Sequence, residues 1–392
     1  MTRRDVVITG IGLVSSLGEG PDAHWAALNN GAKPVVDSAS FAPFPVHPLP
    51  ALSLDAQIPK KGDQRQMEPW QRLGTYAAGL AIDHAGARGL VADMHLVVAA
   101  GGGERDIAVD EAMTAALTSA TPETSGALLN EKLATELRPT LFLAQLSNLL
   151  AGNISIVHGV TGSSRTLMGE EEAAADAIRI AAARLAEGRG EIALVGGAFA
   201  SQRWDMVLLY APGGVLWQGD YAPISARGDA GGLMLGAMAA FLVLETAEHA
   251  QARGAKALAR IGGIASDAAH QRAGGGSATA AAALWQGMAP ASTAGLGVIS
   301  GMTGVAEARV EEEAFLATLG GAAVRRSGSV LGHGVEASFP ANVALAALAL
   351  SQNGFYPKMD PADAGDGAVE RILVTGFGQW RGEALALLEK AP

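Results

Sequence analysis

The sequence predicts an α/β fold in which central, mainly parallel strands alternate with helices. Apolar runs that end in glycine lie near both ends of the chain, at residues 6–12 and 372–378. Continuous apolar runs of this length are typical of strands that are buried on both faces. Between them, segments with helical periodicity alternate with further apolar runs, and this alternation favours βαβ units.

Each predicted element follows from its local pattern. Residues 6–11 are predicted as the first strand, and residues 67–86 have the periodicity of a helix. Residues 340–351 are predicted as an apolar helix. Further strands are predicted at residues 95–100, 192–195, 241–245 and 372–378, and a new unit begins at residues 255–261.

Two segments interrupt this alternation. Residues 39–62 are rich in proline and lack periodicity, so an extended path over the surface is expected. Residues 273–283 are a run of Gly, Ala and Ser that is predicted to be a surface loop. The polar helix predicted at residues 246–254 places a boundary between two halves, residues 1–253 and residues 254–392.

The composition excludes several classes of protein. With 392 residues, the chain is long enough for two domains or for one large duplicated domain. Its net charge of −11 is poorly suited to nucleic acid, whose binding depends on Lys and Arg that neutralise phosphates. The absence of cysteine excludes disulfides and thiolate metal sites. The longest apolar run, residues 231–244, is too short for a membrane span of roughly 20 residues.

Other sequence signals point to a protein without a leader or a cofactor. Residues 1–4 lead directly into the first strand, so we expect no signal peptide and a cytoplasmic location. The histidines have no spacing typical of a metal site. Residues 101–103 are three glycines after a strand, but they lack both the dinucleotide-binding spacing and a P-loop lysine. No metal or cofactor is therefore expected.

Glycine-rich motifs along nearly the whole chain resemble those of the β-ketoacyl-acyl carrier protein synthases of type II systems. In chain order they are RDVVITGIGLVSSLG at residues 4–18, NLLAG at 148–152, GGA at 196–198, RGA at 253–255, LGH at 331–333 and GFG at 376–378. The resemblance implies a thiolase-type fold of two similar α/β halves, each with a mixed five-stranded sheet, in alternating helix and sheet layers (αβαβα). It also implies a dimer whose interface strand lies near the nucleophile segment.

The resemblance also locates the residues that perform decarboxylative condensation in this family. Aligned without a gap to residues 196–197, the position of the catalytic cysteine falls on Glu171. The first catalytic histidine corresponds to Gly301 and the lysine to Gly328. The second histidine is retained as His333. A carboxylate is a weak nucleophile beside a thiolate, so the resemblance implies a chain that does not condense acyl groups alone.

Two further motifs of the family are altered. Its Gly-Glu-Gly-Ala motif has Ala237 at the glutamate position. The closing loop, which the resemblance assigns to substrate binding, keeps Gly376, Phe377 and Gly378. It then continues as QWR at residues 379–381, where the family usually has Gly-Thr-Asn.

The same residues also have structural interpretations. Acidic residues 170–172 in a first helical turn complement the helix dipole, and Glu171 could fill the pocket of the missing cysteine. His333 is expected to be buried and hydrogen-bonded, and residues 311–313 (EEE) to be a solvated helix face. The candidate basic patch for an acyl carrier protein consists of Arg65, Arg72, Arg325 and Arg326.

Three functions remain open from the sequence. The first is a chain-length-factor-like subunit that partners a ketosynthase with intact Cys, His and His, and contacts the acyl carrier protein directly or through that partner. The second is an enzyme with a non-standard site, either a 3-oxoacyl synthase or a malonyl-carrier protein decarboxylase. The third is a homodimer that binds acyl carrier protein or an acyl lipid without reaction.

Overall fold

A computed structural model describes residues 3–103, 105–137, 141–270, 274–288 and 292–391. Its strands are β1 (Val6–Ser15), β2 (Gly18–Glu19), β3 (His95–Ala99), β4 (Ser164–Leu167), β5 (Ile192–Phe199), β6 (Met238–Thr246), β7 (Ala259–His270), β8 (Leu296–Ser300), β9 (Ala323–Arg326), β10 (Arg371–Phe377) and β11 (Arg381–Glu389). Its α-helices are α1 (Gly20–Asn29), α2 (Lys61–Gln66), α3 (Pro69–His84), α4 (Ile107–Thr118), α5 (Pro122–Glu136), α6 (Leu141–Ala144), α7 (Leu149–His158), α8 (Glu170–Ala186), α9 (Trp204–Tyr210), α10 (Ala247–Ala252), α11 (Gly276–Gly287), α12 (Ala306–Ala317), α13 (Gly328–Leu331) and α14 (Ser338–Ser351).

Ten of the eleven described strands form two five-stranded arrays with the same topology, and the short β2 pairs with β1 beside them. The first array has the order β4-β3-β5-β6-β1, and the second, from its outer edge, has the order β9-β8-β10-β11-β7. In each array the three outer strands are parallel and the remaining pairs are antiparallel. The arrays join where β1 pairs with β7 over two residue pairs. This arrangement confirms the predicted α/β class and the mixed five-stranded sheets.

Helices form three layers around these sheets. Helices α8 and α14 contact strands of both arrays and therefore lie between them. Helices α3 and α7 cover the outer face of the first array, and α11 with α12 covers the outer face of the second. The central layer is built from small residues, since α8 buries a row of alanines that allows close approach to the strands.

Most predicted elements are confirmed, and two segments differ. Strand β1 extends to Ser15, beyond the predicted end at residue 11. The run at 273–283 was predicted as a loop, but α11 occupies its described part from Gly276 onward, and residue 273 lies outside the described residues. The helix forms because Ala281 and Trp285 are buried in the outer core of the second array. Helix α10 confirms the predicted polar helix, while the division into domains 1–253 and 254–392 stays a prediction.

Candidate functional site

The predicted site residues converge on the central layer, where helices begin and parallel strands end. Helix α8 begins at Glu170, directly after β4, and α14 begins at Ser338. Strands β8 and β10 end beside them, at Ser300 and Phe377. Helix N-termini and the carboxyl ends of parallel strands are common places for binding sites.

Two small adjoining cavities lie at this convergence. The first, with an empty volume of about 360 Å³, is lined by Glu171, Gly301, His333 and the closing loop from Gly376 through Phe377 to Gly378, among others. The second is lined by Gly301, Gly328, His333, Ser338 and Asn342, among others. All seven predicted site residues thus line one or both cavities. Their roles in binding or catalysis stay predictions.

Glu171 and His333 form a buried pair. Their Oε1 and Nε2 atoms lie 2.9 Å apart, and Glu171 is 8% and His333 4% exposed. On its other side, the His333 Nδ1 atom lies 3.4 Å from the Ser338 hydroxyl, which accepts a hydrogen bond from the Gly334 backbone. Burial raises the pKa of Glu171, but the hydrogen bond and charge of His333 outweigh it, so that pKa lies below its ordinary value. Both side chains line the first cavity.

Glu170, the residue before Glu171, has a strained backbone. Glu170 has a left-handed φ of +59°, a conformation that residues other than glycine rarely adopt. Its Oε2 atom is buried and has no hydrogen-bond partner among the described residues. The sharp turn from β4 into α8 therefore directs Glu171 toward His333, while Glu170 lines a different groove.

Gly301 is enclosed by backbone. Its N–H donates to the carbonyl of Thr375 over 3.1 Å, and a Cβ added to Gly301 would lie 2.5 Å from that same oxygen. At Gly328, an added Cβ would lie 2.7 Å from the carbonyl oxygen of Met302. Real Cβ atoms essentially never approach other heavy atoms this closely. Main-chain atoms therefore leave no room for a side chain at either glycine.

The expectation that residues 311–313 form a solvated helix face is wrong for two of the three. Glu312 is fully buried and accepts hydrogen bonds of 2.6 Å from the hydroxyls of Ser300 and Thr375. Burial raises its pKa. Glu311 is 7% exposed and accepts bonds from backbone N–H groups at the start of α11. Glu312 joins the ends of β8 and β10 directly beneath the cavities.

The proposed basic patch is also wrong for two of its four members. Arg325 and Arg326 are 2% and 9% exposed. Arg325 donates to backbone carbonyls, including that of Tyr356, and Arg326 pairs with Asp363 at 3.0 Å. Guanidinium groups that are buried in this way present little surface to an acidic partner.

A large groove that the sequence did not predict lies beside the site. Its empty volume is about 1,540 Å³, and its wall contains Glu170 and Glu336. Glu336 is 5% exposed and follows Val335, which has a left-handed φ of +42°. In the sequence, Glu336 lies three residues after His333, and this short separation was a partial indication that Glu336 lies near the site.

Among the described residues, no group of three or more His, Cys, Asp or Glu side chains could hold a metal ion. In the same part of the chain, no helix is both long enough and apolar enough to cross a membrane.

Comparisons with known proteins give one consistent family. The model of the N-terminal domain of β-ketoacyl synthases matches residues 3–250. The 3-oxoacyl-[acyl-carrier-protein] synthase 2 of Vibrio harveyi is 29% identical over 282 residues, which cover 69% of this chain and 65% of that protein. The ketoacyl synthase beta subunit of the tetracenomycin polyketide synthase of Streptomyces glaucescens is 30% identical over 277 residues, which cover 67% of this chain and 63% of that protein. The matched region thus spans somewhat less than two thirds of these relatives.

Solved structures show the same fold over the full chain. The ishigamide ketosynthase/chain length factor superposes with a TM-score of 0.81 at 21% identity, and a β-ketoacyl synthase from Burkholderia phymatum with a TM-score of 0.78 at 22% identity. Each comparison covers 100% of both chains. At these identities the likeness shows the fold alone, and it confirms the predicted thiolase-like architecture.

Proposed function

Because the chain belongs to the β-ketoacyl synthase family, we propose that it acts as a condensation-incompetent, chain-length-factor-like subunit. It pairs with a ketosynthase that supplies the cysteine, both histidines and the lysine, and it helps to shape the cavity for the growing acyl chain. The acyl carrier protein docks on the pair, either on this chain or on its partner. The proposal places the chain in fatty acid or polyketide-type synthesis.

The closed backbone at Gly301 carries this proposal. Condensation in the family needs two imidazoles that polarise the malonyl thioester as carbon dioxide leaves. Here one imidazole is absent, and the carbonyl of Thr375 occupies the space into which its Cβ would project. The remaining His333 is paired with Glu171. The names of two similar proteins, a ketosynthase/chain length factor and a ketoacyl synthase beta subunit, support a partnering role.

The edge of the first sheet supports a shared interface. Among the described strands, β4 ends the sheet and pairs with β3 alone, so its outer edge carries unpaired backbone groups. Met168, the residue that follows β4, is 64% exposed. An exposed edge beside an apolar side chain favours pairing with another strand, in a second copy or in a partner ketosynthase.

Co-expression with a ketosynthase of the same system tests this proposal. We expect a stable complex, condensing activity of the complex, and no 3-oxoacyl product from the purified chain alone. Product length should change when this chain is replaced by a homologue with a different groove. Release of carbon dioxide from malonyl-carrier protein by the chain alone would instead show a decarboxylase, and failure to associate with any ketosynthase would favour a homodimer.

Replacing Glu171 by cysteine is expected to leave the chain without condensing activity. The thiol would lie beside His333, but no side chain at Gly301 or Gly328 supplies the second imidazole or the amine. Mass spectrometry after incubation with an acyl-carrier protein would detect acylation separately from condensation. Formation of 3-oxoacyl product by E171C without a partner would contradict the proposed division of labour.

A further inference from the structure

A serine, a histidine and a glutamate lie in a row beside the first cavity. The Ser338 hydroxyl oxygen lies 3.4 Å from Nδ1 of His333, and Nε2 of the same ring lies 2.9 Å from Oε1 of Glu171. All three side chains line the cavity of about 360 Å³. A hydroxyl at one ring nitrogen and a carboxylate at the other is the arrangement by which hydrolases activate a serine nucleophile, and it is recognised by geometry on unrelated folds.

The chain turns sharply between this histidine and the serine. Val335 has a left-handed φ of +42°, and the short 3-10 helix Val335–Ala337 leads into α14, whose first residue is Ser338. The Gly334 N–H donates to the Ser338 hydroxyl oxygen over 2.8 Å, so this oxygen is held beside the ring while its own hydrogen can point to Nδ1. Backbone strain of this kind is concentrated at binding and catalytic sites. The turn therefore fixes the serine against the histidine.

The carboxylate of Glu171 determines which ring nitrogen can act as the base. An ionised carboxylate only accepts hydrogen bonds, so Nε2 of the neutral ring bears the proton and Nδ1 directs its lone pair to Ser338. Glu171 thus sets the tautomer and the orientation of the ring, as the acid of a catalytic triad does. The 3.4 Å separation at Nδ1 is long, and such contacts in unliganded enzymes commonly shorten when substrate binds.

Two kinds of hydrogen-bond donor lie beside the serine. Helix α14 begins at Ser338, so its first N–H groups have no partner within the helix, and the helix dipole favours negative charge there. Asn342 lies one turn further along and lines both cavities. Its Oδ1 accepts from the Ser327 hydroxyl over 2.7 Å, and its Nδ2 lies 3.4 Å from the place of a Cβ added at Gly301. An amide and helix N–H groups can stabilise the oxyanion of an acyl-transfer intermediate.

We propose that this chain hydrolyses short acyl thioesters, with Ser338 as the nucleophile, His333 as the base and Glu171 as the residue that positions the ring. The Ser338 oxygen attacks the thioester carbon while its proton passes to Nδ1 of His333. The carbon–sulfur bond then breaks, and the thiol leaves with that proton. Water attacks the resulting ester and gives a proton to His333, which returns it to the Ser338 oxygen as the carboxylic acid leaves.

The size of the cavity and the proposed function together define the substrate. An empty volume of about 360 Å³, bounded in part by Phe339 and Phe377, suits an acetyl or butyryl group better than a long chain. The choice of thioesters rests on the proposed function, which brings acyl thioesters to this chain. Hydrolysis is measured on the chain alone, so it can fail while complex formation with a ketosynthase succeeds, and the reverse also holds.

Release of thiol from S-acetyl-pantetheine and S-butyryl-pantetheine by the purified chain tests this assignment. The chain contains no cysteine, so a thiol reagent detects only the thiol that leaves the substrate. S338A is expected to lower the rate above buffer by about 10³-fold or more. E171Q should lower kcat by about 100-fold or more and change KM by less than about twofold, because a residue that orients the base does not bind substrate. The control S351A removes the serine at the other end of α14 and should change neither constant.

Chemical labelling of the wild-type chain provides a measurement that needs no variant. A fluorophosphonate, which reacts with activated serines, is expected to modify Ser338, and peptide mapping by mass spectrometry identifies the modified residue. S-acetyl-pantetheine should slow this labelling. Thiol release no faster than in buffer, an equal rate in S338A, or a label on a different residue would overturn the proposal. Because the label is placed on the wild-type chain, this result is decisive even if S338A fails to fold.

Discussion

Replacing Gly301 by histidine is expected to lower the free energy of unfolding by about 3 kcal/mol and to leave the chain inactive in condensation. The new Cβ would lie 2.5 Å from the carbonyl oxygen of Thr375, so the ends of β8 and β10 must separate. Overpacking of a well-packed interior costs about 1–3 kcal/mol, and displacement of the hydrogen bond from Gly301 to Thr375 adds to that cost.

Chemical denaturation of G301H measures this effect. G126H is a matched control, because Gly126 is exposed and an added Cβ there would meet nothing within 4 Å. That variant should change stability by less than about 0.5 kcal/mol. If G301H were as stable as the control, the backbone at this position would be open, and the loss of the first histidine would be a simple side-chain deletion. The combined variant E171C/G301H/G328K would then be worth testing for restored condensation.

Replacing His333 by alanine is the second change with a large expected effect, about 3 kcal/mol of destabilisation at pH 7. Its removal leaves the Glu171 carboxylate buried with backbone donors alone, its own N–H and that of Gln379 at 3.5 Å. Leaving a buried polar group without its hydrogen-bond partner costs about 1–3 kcal/mol, and more where the group is charged. The retained histidine is therefore expected to stabilise the fold, whatever its role in chemistry.

A similar pair elsewhere in the chain provides the control. His249 lies 2.7 Å from Glu245, but that carboxylate also accepts hydrogen bonds from Arg253 and Thr9. H249A should therefore cost less than about 1 kcal/mol. A double-mutant cycle of H333A with E171Q should recover a coupling energy above about 1 kcal/mol. Additive effects in that cycle would show that the two side chains do not stabilise each other.

The pH dependence of H333A has a defined sign. The pKa of Glu171 lies below its ordinary value of 4.5 in the folded protein, so the stability that this ionised carboxyl contributes is present above pH 4.5. It is lost as pH falls through the lowered folded pKa. The difference in stability between wild type and H333A should therefore shrink in strongly acidic buffer. An unchanged difference there would show that H333A acts through lost packing.

Local patterns were sufficient for the fold class and for several of its buried elements. The apolar runs at β1, β3, β5, β6 and β10 and the periodic segments at α3 and α14 were predicted because burial on two faces leaves a clear signal over a few residues. Helix α11 was missed because its run of Gly, Ala and Ser is typical of loops. Its helical state depends on the burial of Trp285 and on the hydrogen bonds of Glu311 at its start.

Charged residues were the main source of error in the predicted surface. Charged side chains are rarely buried without a partner. The partners of Glu312, Arg325 and Arg326 are distant in the sequence. Glu312 accepts from Thr375, 63 residues away, and Arg326 pairs with Asp363, 37 residues away. No local pattern contains such pairings. Glu336 was overlooked for the same reason, since the groove beside it is assembled from separate loops.

The sequence by itself determined that the chain has no cysteine, and the resemblance to the family predicts that Glu171, Gly301 and Gly328 stand at the positions of the nucleophile, the first histidine and the lysine. It also determined the α/β class and the positions of several buried strands and helices, which depend on local periodicity. The tertiary structure decided which groups surround Glu171 and Gly301. Glu171 meets His333 across 162 residues of sequence, and the carbonyl of Thr375 closes the space at Gly301. Burial and pairing between distant segments are properties of the packed chain, and they fix the surroundings of Glu171 and Gly301.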